Sequence, residues 1–183
     1  YPVIKPDNYK IGYSLGKEMV GKSIKKIGIV LGQEEREETA DRYKGLEDAI
    51  KDSGMKVAWK YNGIENKDIV KIVNRRGKVD AIVVLDNYSL DDLGENARED
   101  SYNGAKIYGV GTNVESLVLV DYGKVECVII PDGYEMGYKS VNEITERLNH
   151  TFYVMKSTNV EHKIVYKKDL FTTDIERFLY SYE

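Results

Sequence analysis

Short apolar, β-branched runs alternate along this chain with longer stretches whose apolar residues recur at helical spacing. Lys26 to Leu31, Val79 to Leu85 and Lys124 to Ile130 are of the first kind; Asn8 to Val20, Glu37 to Asp52 and Tyr134 to Asn149 are of the second. A strand covered by helices on both faces carries few polar residues, and parallel neighbours need a long crossover between them. The alternation therefore predicts an α/β fold: a doubly wound, mostly parallel sheet of Rossmann-like kind.

Finer signals place the remaining elements. Ile11, Leu15 and Met19 form one stripe of the first helix, and Gly12 and Gly16 thin the neighbouring face for close packing. Ala40, Tyr43, Leu46 and Ile50 form the stripe of the second helix, which stops at Ser53-Gly54. Met55 to Tyr61 and Ala105 to Val110 read as further strands, and Val114 to Val120 as a short helix. Asn66 reads as the N-cap of a helix over Lys67 to Arg76, and Ser89 with Asp92 as a capping box opening a helix that runs to about Tyr102. A strand over Val160 to Tyr166 and a helix over Thr173 to Tyr180, with Thr173 and Glu176 as its capping box, close the chain. Ligands of doubly wound sheets sit off the carboxyl ends of the strands, so the loops opening at Leu31, Tyr61, Leu85 and Val110 are where a site is expected.

Charge and cysteine content remove several function classes. The net charge is -4, with lysines and glutamates interspersed, so no basic footprint for nucleic acid is present. Cys127 is the single cysteine and lies in an apolar run, as a buried inert thiol does. With only His150 and His162 besides, no metal site is expected. Gly109-Val110-Gly111 follows a strand but lacks the third glycine of a dinucleotide fingerprint, and Gly21-Lys22-Ser23 precedes a strand rather than following one. No cofactor is implied. There is no Gly-x-Ser-x-Gly elbow and no His/Glu pair at metal spacing, which points away from an enzyme. The acidic segment Gln33 to Glu38 reads as a solvated loop running into a helix N-terminus. Asn149-His150-Thr151 matches a glycosylation sequon that matters only in a eukaryotic secretory setting. The opening Tyr1-Pro2-Val3-Ile4 reads as the inside of a strand rather than as a leader.

Five segments, in order, carry a resemblance. Pro2-Val3-Ile4 with Asp7-Asn8-Tyr9 and Gly12 comes first, then Arg42-Tyr43-Lys44-Gly45-Leu46, then Asp86-Asn87 at the end of the most hydrophobic strand. Gly133-Tyr134-Glu135-Met136-Gly137-Tyr138 and the tail Asp169 to Leu179 complete the set. Together they resemble the C-terminal portion of type I periplasmic binding proteins, the ribose/galactose-type solute-binding proteins and the ligand-binding domains of lactose-repressor-like regulators. The resemblance implies a division into residues 1–10 as the hinge and end of an N-terminal lobe, 11–130 as the C-terminal ligand-binding lobe, 131–158 as the hinge return with an N-lobe-type helix, and 159–183 as the final strand and helix.

It also implies a function: a solute-binding protein of a bacterial ABC importer, not an enzyme, holding a small polar, carbohydrate-like ligand between two lobes. Arg42 matches the family's arginine that grips ligand hydroxyls or carboxylates, and Asp86 matches its ligand-facing Asn-Asp position. Gln33, Asn113 and Asp132 are the further candidate contacts. Two family positions are not kept: Gly111 stands where a carboxylate is usual, and Pro131 where glutamine is usual. The partners implied are an ABC permease or, in the alternative, a histidine sensor kinase docked by an extracellular domain; the other alternative is the effector domain of a regulator. The compartment is extracytoplasmic for the solute-binding and sensor readings and cytoplasmic for the regulator. The apolar stripe of Tyr134 to Asn149 belongs against the second lobe, and without that lobe a homodimer is one way to cover it.

Overall fold

The computed structural model describes residues 2–32, 36–62, 69–98 and 101–179. A six-stranded sheet in the order β3-β2-β4-β5-β6-β8 is built from β2 (Lys26–Val30), β3 (Lys56–Tyr61), β4 (Ala81–Val84), β5 (Lys106–Val110), β6 (Cys127–Pro131) and β8 (His162–Tyr166). All pairings are parallel except β6 with β8. The helices are α1 (Asn8–Met19), α2 (Glu37–Ile50), α3 (Ile69–Asn74), α4 (Asn87–Glu95), α5 (Val114–Asp121), α6 (Gly133–Asn149) and α7 (Thr173–Leu179). β1 (Ile4–Pro6) and β7 (Thr158–Val160) form a separate parallel pair.

Strand periodicity divides the core. Along β4, Ile82 and Val84 join a cluster with Ile69, Leu90 and Leu93, while Ala81 and Val83 join one with Ile11, Leu15 and Leu46 on the opposite face. Both faces of the sheet are thus covered by helices, as the alternation predicts. No helix among the described residues is long and apolar enough to cross a membrane.

α1 and α2 approach unusually closely, and glycines permit it. A Cβ on Gly12 would lie 1.8 Å from the Arg42 carbonyl oxygen, one on Gly45 2.0 Å from that of Tyr9, and one on Gly16 2.5 Å from the Ala49 Cβ. The α2 stripe is shifted from the expected one: Ala40 is exposed, and Thr39, Gly45, Leu46, Ala49 and Ile50 are buried, because the glycine crossing turns that face of α2 inward.

Several boundaries differ from the sequence reading. α4 opens at Asn87 rather than at Ser89, because the Asp86 carboxylate accepts from the Ser89 amide as N-cap. It closes at Glu95, and Tyr102 lies in a separate turn over Ser101–Gly104 whose Tyr102 and Asn103 have φ of 54° and 57°. The run expected as one strand over Val160 to Tyr166 is two: Val160 ends β7, beside β1, and His162 begins β8, beside β6. α7 begins at Thr173, with the Glu176 amide donating to the Thr172 carbonyl, so the residue ahead of the helix is Thr172. Asn66 and Tyr180 lie outside the described residues.

His162 Nε2 lies 2.9 Å from Ser14 Oγ, joining β8 to α1. Burial pushes the imidazole below its ordinary value of 6.5, with Glu161 and Asp7 opposing and Lys10 reinforcing. A folded-state value below the unfolded one means that the unfolded chain takes up the proton first. The stability gained by keeping His162 neutral is therefore present above about pH 6.5 and lost as pH falls through the folded-state value. His162→Gln is expected to flatten the fall of Tm between pH 7.5 and 5; an unchanged slope would show that other groups carry it.

Candidate functional site

The parallel strands β2, β4, β5 and β6 bring their carboxyl ends to one edge, and three helices start from it. Asp86 caps α4, Asn113 caps α5 and Asp132 caps α6, their side chains accepting from the amides of Ser89, Ser116 and Glu135. Each cap thus bonds the amide three residues on, and a short acceptor at a helix start is what the local backbone requires.

Asp86 is more than a cap. Its Oδ1 accepts from Ser89, whereas its Oδ2 is buried with no hydrogen-bond partner among the described residues, packed beneath Gly32, where a Cβ would come within 2.6 Å of it. Burial raises the Asp86 pKa from its ordinary value, against the lowering effects of Ser89 and Arg42. A buried carboxylate oxygen without a donor is costly, and a donor brought to it would be correspondingly favourable.

Arg42 is held from two sides. Its Nε donates to Asn8 Oδ1 at 2.8 Å and its Nη1 to the Leu85 carbonyl, at the end of β4, at 2.7 Å. The remaining guanidinium N–H groups have no hydrogen-bond partner among the described residues. Burial lowers its pKa while Glu38 and Asp86 raise it; an arginine stays charged under such a shift. The glycine crossing makes this placement possible, since Arg42 sits where α2 meets α1.

Beside them, a polar network joins the starts of α4 and α5. Asn87 Nδ2 and Asn113 Nδ2 both donate to Asp91 Oδ2, at 2.9 and 3.0 Å, and the Thr112 amide donates to Asn87 Oδ1 at 2.8 Å. Ser116 Oγ, fully buried, lies 2.6 Å from Asn113 Oδ1. Gly111 owes its identity to this network: a Cβ there would stand 2.6 Å from the Ser116 Cβ and 2.8 Å from its Oγ. The position where the family resemblance leads one to expect a carboxylate cannot carry a side chain while Ser116 fills that space. Pro131 ends β6 opposite His162.

Of the five candidate residues, Arg42 and Asp86 come together electrostatically, and Asn113 joins through the Asn87–Asp91 network. Asp132 is bonded to none of them; its amide donates to Glu161. Gln33 lies outside the described residues. Asn8, Asp91 and Ser116 escaped the sequence reading. The repeated spacings Asp86-x-x-Ser89 and Asn113-x-x-Ser116 are the signal that could have pointed to two matching caps and to Ser116 beneath one of them.

A doubly wound lobe that lines the carboxyl edge of its sheet with caps, side-chain amides and an anchored arginine has the layout of a small-molecule binding lobe. The chain belongs to the periplasmic binding protein domain family, whose pattern matches residues 1–151. No curated protein matches it by sequence. Among solved structures it is similar to GanP, a glucose-galactose binding protein from Geobacillus stearothermophilus, with a TM-score of 0.80 and 21% identity over 93% of this chain and 64% of that one. It is also similar to a carbohydrate transporter solute-binding protein from Agrobacterium radiobacter, solved with D-arabinose, with a TM-score of 0.81 and 17% identity over 97% of this chain and 65% of that one. A third similar structure, the XylFII–LytSN complex, gives a TM-score of 0.74 and 21% identity over 90% and 61%. The chain spans less than two thirds of the length of each, and at these identities the likeness is one of fold.

Proposed function

We propose that this chain is the C-terminal lobe and hinge of a sugar-binding protein serving a bacterial ABC importer outside the cytoplasm, and that it is not an enzyme. The observation that carries this reading is Arg42. It is half-buried at the carboxyl edge of the sheet and anchored through two N–H groups, with its others unpartnered among the described residues. An arginine fork beside an underbonded Asp86 suits a ligand that presents acceptors and donors on neighbouring atoms, as vicinal hydroxyls do. Asn113 borders the same edge as a ligand contact or as support for Asn87, and Gln33 and Asp132 are its outer candidates.

The hinge is assigned to residues 1–10 and 131–158. β1 and β7 pair apart from the six-stranded sheet, and α6 between them buries none of its residues. α6 then packs in a second lobe that closes over the ligand, and an ABC permease is the partner that reads the closed form.

Binding is tested by calorimetry on the full-length protein with D-arabinose, D-glucose and D-galactose. Arg42→Ala is expected to weaken binding about 100-fold, the scale of charge-assisted hydrogen bonds lost from a buried site. Affinity within twofold of wild type, or no binding of any sugar by the wild type, sinks the reading.

A further inference from the structure

We propose that Asn8 is the positioning residue for Arg42, and that it links the ligand site to the hinge strand; the link to ligand rests on the function proposed above. Asn8 is the first residue of α1, where side chains ordinarily serve the helix end. That task is already done: Asp7 is the cap, and its carboxylate accepts from the Lys10 amide at 3.0 Å. The Asn8 side chain is therefore released for another purpose, and it is 7% exposed, so its amide has to find partners within the fold. Its Oδ1 accepts from Arg42 Nε at 2.8 Å.

The geometry explains why this contact matters more than its neighbour. A guanidinium is planar, and two anchors at different nitrogens fix the plane; Asn8 on Nε and Leu85 on Nη1 supply them. With Nη1 alone held, the group swings about that bond and its other N–H groups lose their aim. A second bridge between the same segments, Lys5 to Glu37 at 2.9 Å, lies in solvent, with side chains 43% and 77% exposed, and contributes little.

The residue type matters as well. An asparagine accepts from Nε without neutralising the arginine, so the positive charge stays available to a ligand; an aspartate would hold the group but oppose that charge. Asn8 is also two residues beyond Pro6, the last residue of β1, which pairs with Val160 of β7. Ligand that pulls on Arg42 thus pulls on Asn8, and the chain from Asn8 back to the β1–β7 pair is too short to absorb the movement.

The test uses the full-length protein and two measurements. Hydrogen exchange of the Arg42 Nε–H, assigned by its loss in Arg42→Lys, is expected to accelerate at least about tenfold in Asn8→Ala and to stay within about threefold of wild type in Asn8→Asp. Affinity for whichever of D-arabinose, D-glucose and D-galactose binds is expected to fall about tenfold in both variants, through faster dissociation, with far-UV spectra unchanged. An Nε–H that stays protected in Asn8→Ala overturns the proposal, as does an affinity that is unchanged while protection is lost. If the wild type binds none of the three sugars, the sugar reading falls by itself, and the exchange measurement alone decides whether Asn8 holds Arg42.

Discussion

Gly12→Ala is expected to destabilise the chain by about 3 kcal/mol, a fall in Tm of about 10 °C, although it adds a single methyl group. The added carbon would stand 1.8 Å from the Arg42 carbonyl oxygen and 2.8 Å from its Cα, atoms of a helix backbone that no rotamer change can move aside. Relief requires α2 to withdraw from α1 along the whole crossing, uncovering Ile11, Leu15 and Leu46, which are fully buried. The same withdrawal carries Arg42 away from the Leu85 carbonyl, so stability and ligand binding fall together. Gly77→Ala is the control, because a Cβ at that position meets nothing within 4 Å; it is expected to change stability by less than about 0.5 kcal/mol. Equal urea midpoints for the two variants would show that the helices part without cost.

The second large effect concerns α6. Tyr134, Tyr138, Val141, Ile144 and Leu148 lie along it and are 54 to 80% exposed, and Phe152 beyond its end is 96% exposed. So continuous an apolar stripe is not a stable solvent face. On the arrangement proposed above it is the part of the second lobe's core that this chain contributes. Val141→Lys, Ile144→Lys and Leu148→Lys together are then expected to cost more than about 5 kcal/mol in the full-length protein, enough to unfold the second lobe. In the 183-residue chain alone, where α6 has no second lobe to pack in, the triple substitution is expected to leave the six-stranded sheet folded and to lower any self-association measured by sedimentation. A full-length triple variant that melts within 2 °C of wild type would place α6 outside any core.

Much of the fold was legible because its signals are local. The apolar runs around Ile29, Val83 and Ile129 occupy central strands, and Gly12 and Gly16 do face a closely packed neighbour. The misread elements are those that a partner decides. The run through Val160 and Tyr166 has one continuous strand-like composition, yet it divides at Glu161 because β1 and β6 claim its two halves. Ala40 fits the helical stripe by spacing and is exposed, because the direction α2 faces is set by where Gly45 meets Tyr9.

The site was harder to read for a chemical reason. An aspartate or asparagine after a strand serves a helix start and a ligand equally well in sequence, and Asp86, Asn113 and Asp132 all turned out to be caps. What separates Asp86 from the other two is a carboxylate oxygen buried without a donor among the described residues, a property of what surrounds it. Gly111 looked like a lost contact, and the space for one is occupied by Ser116.

By itself, then, the sequence determined the alternation of strand and helix and the glycines at which two helices touch, because periodicity and side-chain volume act over a few residues. Only the tertiary structure decided which acceptors remain unsatisfied among the described residues, that Asn8 and the Leu85 carbonyl accept from Arg42, and that the α6 stripe faces outward. Those depend on groups brought together from 34 or more residues apart, as Asn8 and Arg42 are, and desolvation and hydrogen-bond partnership exist only once the chain has closed around them.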